Sequence, residues 1–210
     1  MNNIDFVLKR VSNHKIISII RGVEERRALD TIKALREGGI ETIEVTMNTP
    51  GALNIIEAGQ ALEGISVGAG TVLDAEMARA AYERGAQFAL APNLDTEMIA
   101  FCLEKDILPV PGIFSPTELY AAHKAGAPLI KVFPAASVGP SYIKDLLGPF
   151  NGMRLLPVGG VSVDNTAAFI KAGSFAVGVG SYLANPALAA SGDWKAITAR
   201  AKAFVDAANK

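Results

Sequence analysis

Residues 127–137 read "APLIKVFPAAS", an apolar run that a single lysine interrupts. Apolar side chains flank Lys131 on both sides, and a proline and small residues follow. A short apolar run that ends in a turn signal is typical of a strand in a buried parallel sheet. The stretch therefore predicts a buried strand that carries one cation.

Seven further runs of this kind alternate with segments of helical periodicity, such as "EERRALDTIKALREGG". Eight βα units in 210 residues predict a single α/β domain over residues 1–210, a (β/α)8 TIM barrel with a short N-terminal helix near residues 2–12. An open doubly wound sheet is the main rival, but the first βα turn, "IIRGVEE", lacks the G-x-G-x-x-G of a dinucleotide site. The predicted strands span residues 16–21, 42–47, 66–72, 88–93, 108–113, 129–135, 155–161 and 176–183.

Composition predicts a soluble globular protein that binds neither nucleic acid nor membrane. Half of the residues are hydrophobic, a fifth are charged, and the formal net charge is −1. No run is long and apolar enough to span a bilayer, and the N-terminus lacks the apolar core of a signal peptide. The single cysteine, Cys102, excludes an internal disulfide and favours the cytoplasm. Its helical context indicates a buried small apolar residue rather than a nucleophile.

Strand alternation places two charged side chains inside the predicted barrel. In residues 42–47, the apolar residues Ile43 and Val45 occupy the helix-facing positions, so Glu44 points inward. The same alternation turns Lys131 inward. A buried structural salt bridge is the alternative explanation. Function is the more common reason for burying two charges, because an apolar pair is often equally stable.

Polar residues and glycines gather at the carboxyl ends of the predicted strands, where barrel enzymes place their chemistry. Asn93 and Ser181 could each serve only as a turn former or a helix cap. The convergence of several such residues indicates a site. They are Arg21, Thr71, Asn93, Gly159, Gly160, Gly180 and Ser181.

A lysine inside a barrel is suited to covalent chemistry. Burial lowers the pKa of its amine, and the neutral amine attacks a carbonyl to form a Schiff base. The protonated imine can accept electrons when a neighbouring C–C bond breaks, with Glu44 as general acid and base. Glycine-rich strand ends favour a phosphate site, and Arg21 could hold a carboxylate. The residues predict a Schiff-base lyase or aldolase that acts on a phosphorylated oxo-acid.

Neither a metal nor an organic cofactor is expected. The chain has only two histidines, His14 before the first strand and His123 in a helical segment, and no pair of residues has metal-ligand spacing.

The chain also resembles a known family. "GGIETIEVTMNTP", "VGAGTVLD", "GAQFALAPN", "PVPGIFSPTE", "IKVFPAASVGPSYIKDL" and "LLPVGGVS" are similar to the 2-dehydro-3-deoxy-6-phosphogluconate and 6-phosphogalactonate aldolases, in order and over nearly the whole chain. The resemblance implies a homotrimeric class I aldolase that releases pyruvate and D-glyceraldehyde 3-phosphate from a phosphorylated 2-keto-3-deoxy sugar acid. By match, Lys131 is the Schiff-base lysine, Glu44 the general acid/base, and Thr71 a contact of the pyruvyl part. Gly159, Gly160, Gly180 and Ser181 match the phosphate and distal-substrate region.

Departures from the gluconate pattern favour the galactonate epimer, which differs at C4. Many gluconate-type members have an arginine where this chain has Asn48, whereas this chain carries Arg21 in "IIRGV", as galactonate-type members do. Asn93 lies in the "PN" motif that galactonate-type members share. Val158 stands where gluconate types have a threonine, whose hydroxyl could bind the C4 hydroxyl.

The sequence leaves three alternatives to this aldolase function. A relative acting on unphosphorylated 4-hydroxy-2-oxoglutarate is the nearest. A phosphosugar epimerase or isomerase would use Glu44 as a base without a covalent step. A non-catalytic phosphate-binding barrel is disfavoured by the intact pair of Glu44 and Lys131.

Overall fold

The computed structural model of the protein describes residues 1–210 and contains ten α-helices and nine parallel strands. A short 3-10 turn, Ala135–Ser137, is the only other helical element. The strands are β1 (Ile16–Ile20), β2 (Thr42–Thr46), β3 (Ser66–Gly70), β4 (Phe88–Leu90), β5 (Leu108–Val110), β6 (Gly112–Ile113), β7 (Ile130–Val132), β8 (Leu155–Pro157) and β9 (Val177–Val179). The helices are α1 (Asn3–His14), α2 (Glu25–Glu37), α3 (Ala52–Gly59), α4 (Ala75–Tyr82), α5 (Thr96–Glu104), α6 (Pro116–Lys124), α7 (Gly139–Leu147), α8 (Val163–Lys171), α9 (Pro186–Ser191) and α10 (Trp194–Ala208).

The strands form two parallel sheets rather than one continuous sheet of eight. Six strands pair in the order β5-β4-β3-β2-β1-β9, and three pair in the order β6-β7-β8. An isolated parallel bridge between Val158 and Gly178 joins the end of β8 to β9. On the other side, β5 and β6 are consecutive in the chain and only Pro111 separates them. The observed class is therefore α/β with parallel strands in two sheets.

Pro111 is the reason that the predicted strand 108–113 appears as two. Proline has no N–H to donate to a neighbouring strand, so it interrupts the hydrogen-bond ladder. Its carbonyl still accepts a 2.8 Å hydrogen bond from the Lys131 N–H. The other predicted strands are present but shorter at their carboxyl ends, where the chain turns into loops, and those predicted over residues 129–135 and 176–183 also begin one residue later.

Two apolar clusters lie on opposite faces of the strands. The outer cluster packs strand residues such as Ile43, Val45, Ile130 and Val132 against helices, as the alternation predicted. The inner cluster contains the opposite strand faces. Its members are Ile17, Ile19, Phe88, Leu90, Leu108, Val110, Leu129, Leu156, Val158 and Ala176, together with Val7, Leu8 and Val11 of α1.

The predicted N-terminal helix is present as α1. It begins after Asn2, whose side chain accepts a hydrogen bond from the Asp5 N–H at 2.8 Å. Its apolar face supplies Val7, Leu8 and Val11 to the inner cluster. The helix therefore covers the amino-terminal end of the strand interior and leaves the carboxyl end open.

No helix combines the length and the apolar character that crossing a membrane requires.

Candidate active site

A cavity of about 250 Å³ opens at the carboxyl ends of β1, β7, β8 and β9. Seven of the predicted site residues line it, although they come from four separate parts of the chain. They are Arg21, Lys131, Val158, Gly159, Gly160, Gly180 and Ser181. The fold thus brings the predicted amine, the arginine and both glycine-rich loops to one place.

Lys131 is the only lysine in the wall of this cavity, and it is 4 % exposed. Its Nζ lies 4.9 Å from the centroid of the Phe133 ring, which follows on the same strand face. Burial lowers the pKa of this amine from its ordinary value of 10.5. The nearby Arg21 charge acts in the same direction, and Glu44 partly opposes both. A larger fraction of the amine is therefore neutral and nucleophilic near pH 7 than for an exposed lysine.

Glu44 is fully buried on β2 beside this amine, and neither carboxylate oxygen has a hydrogen-bond partner in the protein. Burial raises its pKa from 4.5, while the charges of Lys131 and Arg21 oppose the rise. The protein's six ion pairs all involve other residues, so Glu44 and Lys131 are not bonded to each other as a structural salt bridge. A carboxyl group that is unbonded and has a raised pKa can both give and take a proton.

Gly70 makes room for the Glu44 carboxylate, a function that sequence reasoning missed. A Cβ built at Gly70 would overlap the carboxylate. The signal was present in "SVGAG", because Ser66, Gly68 and Gly70 share the inward face of β3. On the neighbouring strand Gly68 pairs with Glu44 and Gly70 pairs with Thr46, so glycines stand both beside and after the inward-pointing glutamate and indicate that it needs space.

Arg21 directly follows β1 and is exposed at the cavity. It takes part in none of the ion pairs within the protein. An unpaired guanidinium beside a buried amine presents paired donors that suit a carboxylate or phosphate.

Two loops bring free backbone donors to the opposite wall. The N–H groups of Gly159, Gly160, Ser181 and Tyr182 donate to no backbone carbonyl. Gly159 and Gly160 both have positive φ, 95° and 72°, which favours glycine. A Cβ at Gly160 would lie 2.5 Å from the Cβ of Ala136. Such an arrangement of unpaired N–H groups can bind an anion.

Four predicted site residues are not part of the cavity wall: Glu44, which is buried behind it, and Thr71, Asn48 and Asn93. Thr71 directly follows Gly70 and is half-buried, with a φ of 56° that is unusual for a β-branched residue. Asn48 is exposed in the turn after β2. The Asn93 side chain donates from Nδ2 to the Leu73 carbonyl at 3.1 Å, and the Asn93 backbone carbonyl accepts from the Gly112 N–H at 3.0 Å. These bonds suit the turn-forming function that the sequence left open for Asn93.

Cys102 and the histidines lie elsewhere. Cys102 is fully buried in α5, and burial raises the pKa of its thiol to about 12, which confirms that it is a small core residue. His14 ends α1 with its Nε2 3.2 Å from the Glu41 carboxylate, and His123 is exposed on α6.

Parallel strands whose carboxyl ends surround a buried acid and a buried amine define the protein as an α/β enzyme. The sequence profile of the family "Aldolase: KDPG and KHG aldolase" matches residues 7–200, so the chain belongs to that aldolase family and is a carbon–carbon lyase of the aldehyde-lyase class.

Individual relatives agree with this assignment. A probable 2-dehydro-3-deoxy-6-phosphogalactonate aldolase of Rhizobium meliloti is 35% identical over 83% of this chain and 84% of its own. A 2-dehydro-3-deoxy-phosphogluconate aldolase of Pseudomonas aeruginosa is 32% identical over 86% of this chain and 83% of its own. The structure of the KDPG aldolase of Legionella pneumophila, with pyruvate captured as a covalent carbinolamine, superposes with a TM-score of 0.86. Its identity is 28%, and the match covers 94% of this chain and 97% of that one.

Proposed function

We propose that the protein cleaves 2-dehydro-3-deoxy-6-phosphogalactonate, and also accepts the 6-phosphogluconate epimer, giving pyruvate and D-glyceraldehyde 3-phosphate. Lys131 forms the covalent intermediate. The observation that carries this proposal is the burial of Lys131 in a cavity wall, with a lowered pKa and no ion-pair partner. The relative that traps pyruvate as a carbinolamine supports it by analogy.

The reaction follows from the placement of the two buried groups. The Lys131 amine attacks C2 of the keto acid, and loss of water from the carbinolamine gives a protonated imine. Glu44 takes the proton of the C4 hydroxyl, directly or through a water molecule. The C3–C4 bond then breaks, its electron pair moves into the imine to give an enamine, and C4 leaves as the aldehyde. Protonation of C3 and hydrolysis release pyruvate and restore the amine.

The remaining groups bind the two ends of the substrate. Arg21 holds the carboxylate next to the reacting carbon, because its exposed guanidinium lines the cavity and has no partner in the protein. The free N–H groups after β8 and β9, including those of Gly159, Gly160 and Ser181, hold the phosphate, and Gly180 allows its approach. Thr71, which directly follows Gly70 and so lies near the Glu44 carboxylate, contacts the pyruvyl part, and Asn48 and Asn93 flank the substrate entrance.

Preference for the galactonate epimer rests on Val158, which is buried in the cavity wall and offers no hydrogen-bonding group to the C4 hydroxyl. The two curated relatives bear the names of different epimers at similar identity, 35% and 32%, so we expect a preference rather than exclusion.

We further propose that the two sheets close into one (β/α)8 barrel and that three copies form a homotrimer in the cytoplasm. The bridge between Val158 and Gly178 and the single-residue gap at Pro111 support closure. Exposed aromatic residues on and near α6, Phe114 and Tyr120, support an interface between copies. A buried, unpaired cysteine suits a reducing compartment.

Cleavage should be measured for both epimers and for 4-hydroxy-2-oxoglutarate, with released pyruvate coupled to lactate dehydrogenase. Borohydride should inactivate the enzyme in the presence of pyruvate and leave a covalent adduct on the peptide that contains Lys131. Lys131→Arg retains the charge but should abolish both trapping and cleavage. Faster cleavage of 4-hydroxy-2-oxoglutarate would replace the proposed substrate. Turnover without any trapped adduct would replace the covalent mechanism.

A further inference from the structure

The side chain of Arg21 depends on its backbone for its position. It is exposed, and it forms no ion pair with the rest of the protein. The next residue, Gly22, has a φ of 67°, and a Cβ there would meet nothing within 4 Å. Packing therefore holds the loop after Gly22, where Val23 is buried in the outer cluster, but not Gly22 itself. A contact at Gly22 would fix the direction in which Arg21 leaves β1.

Two buried hydroxyl groups supply that contact. The Gly22 N–H donates to Oγ1 of Thr49 at 3.1 Å, and Oγ1 of Thr49 lies 3.0 Å from Oγ1 of Thr46. Oγ1 of Thr46 in turn lies 3.4 Å from the carbonyl oxygen of Ile20. Thr46 is fully buried and Thr49 is 3 % exposed, so water does not compete for the bonds of the Thr46 hydroxyl, whereas Gly22 itself lies at the surface.

Only one arrangement of the hydroxyl protons allows every donor in this hydrogen-bond relay to form a bond. Thr49 accepts from Gly22 and donates its own proton to Thr46, and Thr46 donates to Ile20. The relay therefore holds a carbonyl on one side of Arg21 and an N–H on the other. Loss of the Thr46 hydroxyl would leave the buried Thr49 hydroxyl without an acceptor, and loss of the Thr49 hydroxyl would leave the Gly22 N–H without a partner in the protein.

The hydroxyl of Thr49 is not needed for the turn in which the residue lies. That turn is already closed by backbone bonds, from the Thr49 N–H to the Thr46 carbonyl at 2.8 Å and from the Ala52 N–H to the Thr49 carbonyl at 3.0 Å. A valine at this position would keep both bonds and nearly the same shape. The side-chain oxygen is thus free for a function beyond local structure.

We propose that Thr49 and Thr46 are positioning residues that aim Arg21 at the substrate carboxylate. The inference rests on the carboxylate-binding function proposed above for Arg21. The two threonines, at the end of β2, would thus affect substrate binding through Arg21, without contacting the substrate themselves. The pair would act on binding of the pyruvyl end and not on the covalent chemistry at Lys131.

The test is a double-mutant cycle on pyruvate binding, measured as the pyruvate concentration that gives half-maximal borohydride trapping. Thr49→Val should weaken binding roughly three- to tenfold, the size of one neutral hydrogen bond. The trapping rate at saturating pyruvate should stay within about twofold of wild type. Thr49→Ser restores the hydroxyl and should restore binding. In an Arg21→Ala background, Thr49→Val should have no further effect.

Thr31→Val is the matched control, because the Thr31 hydroxyl is also buried and donates to a backbone carbonyl, that of Arg27 in α2 at 2.8 Å. It should leave pyruvate binding unchanged. If Thr49→Val does not fold, Thr46→Val breaks the same relay from the Ile20 side and replaces it in the cycle.

The outcomes separate the inference from the proposed function. An equal loss in the wild-type and Arg21→Ala backgrounds, or a failure of serine to restore binding, would overturn the inference while Arg21 kept its proposed function. Unchanged pyruvate binding in Arg21→Ala alone would overturn both the carboxylate assignment and the inference. The covalent mechanism would then still be decided by trapping at Lys131.

Discussion

The two ends of the strand interior are built from the same strands, but the amino end is apolar and the carboxyl end carries charged side chains. Along the β7 segment, Leu129 at the amino end belongs to the inner apolar cluster, while Lys131, two residues on, lines the cavity. Along β1, Ile17 belongs to the cluster and Arg21 reaches the cavity. Period-two alternation puts all four on one face, so position along each strand separates core from site, and Ile19 and Val158 lie at the boundary because they belong to both.

This difference separates stability from function: the amino end stabilises the fold, and the carboxyl end holds the candidate active site. The amino end is sealed by α1 and contributes hydrophobic stabilisation. The carboxyl end contains a buried acid and a buried amine that have no partners and are expected to reduce stability. Substitutions at the two ends should therefore have opposite consequences.

After the complete loss expected for Lys131→Arg, the largest effect should come from Glu44→Gln at the carboxyl end. The amide fills the same space beside Gly70 but cannot exchange a proton at neutral pH. Cleavage should fall roughly 10²–10⁴-fold, as for loss of a general acid/base, while pyruvate still binds. Steady-state kcat and pyruvate titration measure the two separately. A kcat near that of wild type would leave Glu44 with no catalytic function.

At the amino end, Leu129→Ala should reduce stability instead. Leu129 is fully buried in the inner cluster, two residues before Lys131 on the same face. Removing a buried leucine side chain typically costs about 2–5 kcal/mol. Urea unfolding measures this loss, and Leu103→Ala, at a site 36% exposed in α5, is the control that should change stability far less. Equal losses at both positions would contradict the view of the amino end as the stabilising core.

How far the sequence predicted these two ends depends on the kind of feature. Strand alternation correctly placed Ile43 and Val45 in the outer cluster and turned Lys131 inward, because side-chain period is a property of any strand. Loop geometry follows no such period. The positive φ of Thr71 depends on a local turn that the sequence did not indicate, whereas the turn-forming alternative for Asn93 was already open from the sequence.

The break at Pro111 could have been foreseen, since proline interrupts a sheet ladder wherever it needs an N–H donor. The absence of a bond between Glu44 and Lys131 could not have been foreseen from the sequence. It depends on separations of a few ångströms that are set by the packing of all the strands together. Likewise, the relay between Thr46 and Thr49 joins residues whose sequence shows only an ordinary strand end.

Replacing both buried charges by Glu44→Gln with Lys131→Met should stabilise the protein near pH 7, by about 1–4 kcal/mol. Burial raises the pKa of Glu44 above 4.5, so the stability associated with that group is lost as pH rises through its folded pKa. Burial lowers the pKa of Lys131 below 10.5, so its contribution is lost as pH falls through its folded pKa. The gain in stability of the double variant should therefore be greatest between the folded-state pKa values of Glu44 and Lys131, and it should shrink towards pH 4.5 and pH 10.5.

Urea unfolding across that pH range measures the gain. The exposed pair Glu63→Gln with Lys202→Met is the control, and it should change stability by no more than about 0.5 kcal/mol. A double variant at the buried pair that is less stable than wild type at pH 7 would show that the two charges stabilise each other more than burial penalises them.

The smallest effect concerns Val158, where the inner cluster meets the cavity. Val158→Thr exchanges a methyl group for a hydroxyl in the wall, and that hydroxyl can bond the C4 hydroxyl of one epimer better than that of the other. A neutral hydrogen bond contributes about 0.5–1.5 kcal/mol, so the ratio of kcat/KM should shift several-fold towards the gluconate epimer. Both epimers must be assayed on one preparation, because a common loss of activity carries no information on selectivity. Val179→Thr is the control: Val179 lies in the outer cluster, so the added hydroxyl should lower stability and leave the ratio unchanged. An unchanged ratio in Val158→Thr would move the choice of epimer to Asn48 or Asn93, and the boundary between core and site on β8 would then lie beyond Val158.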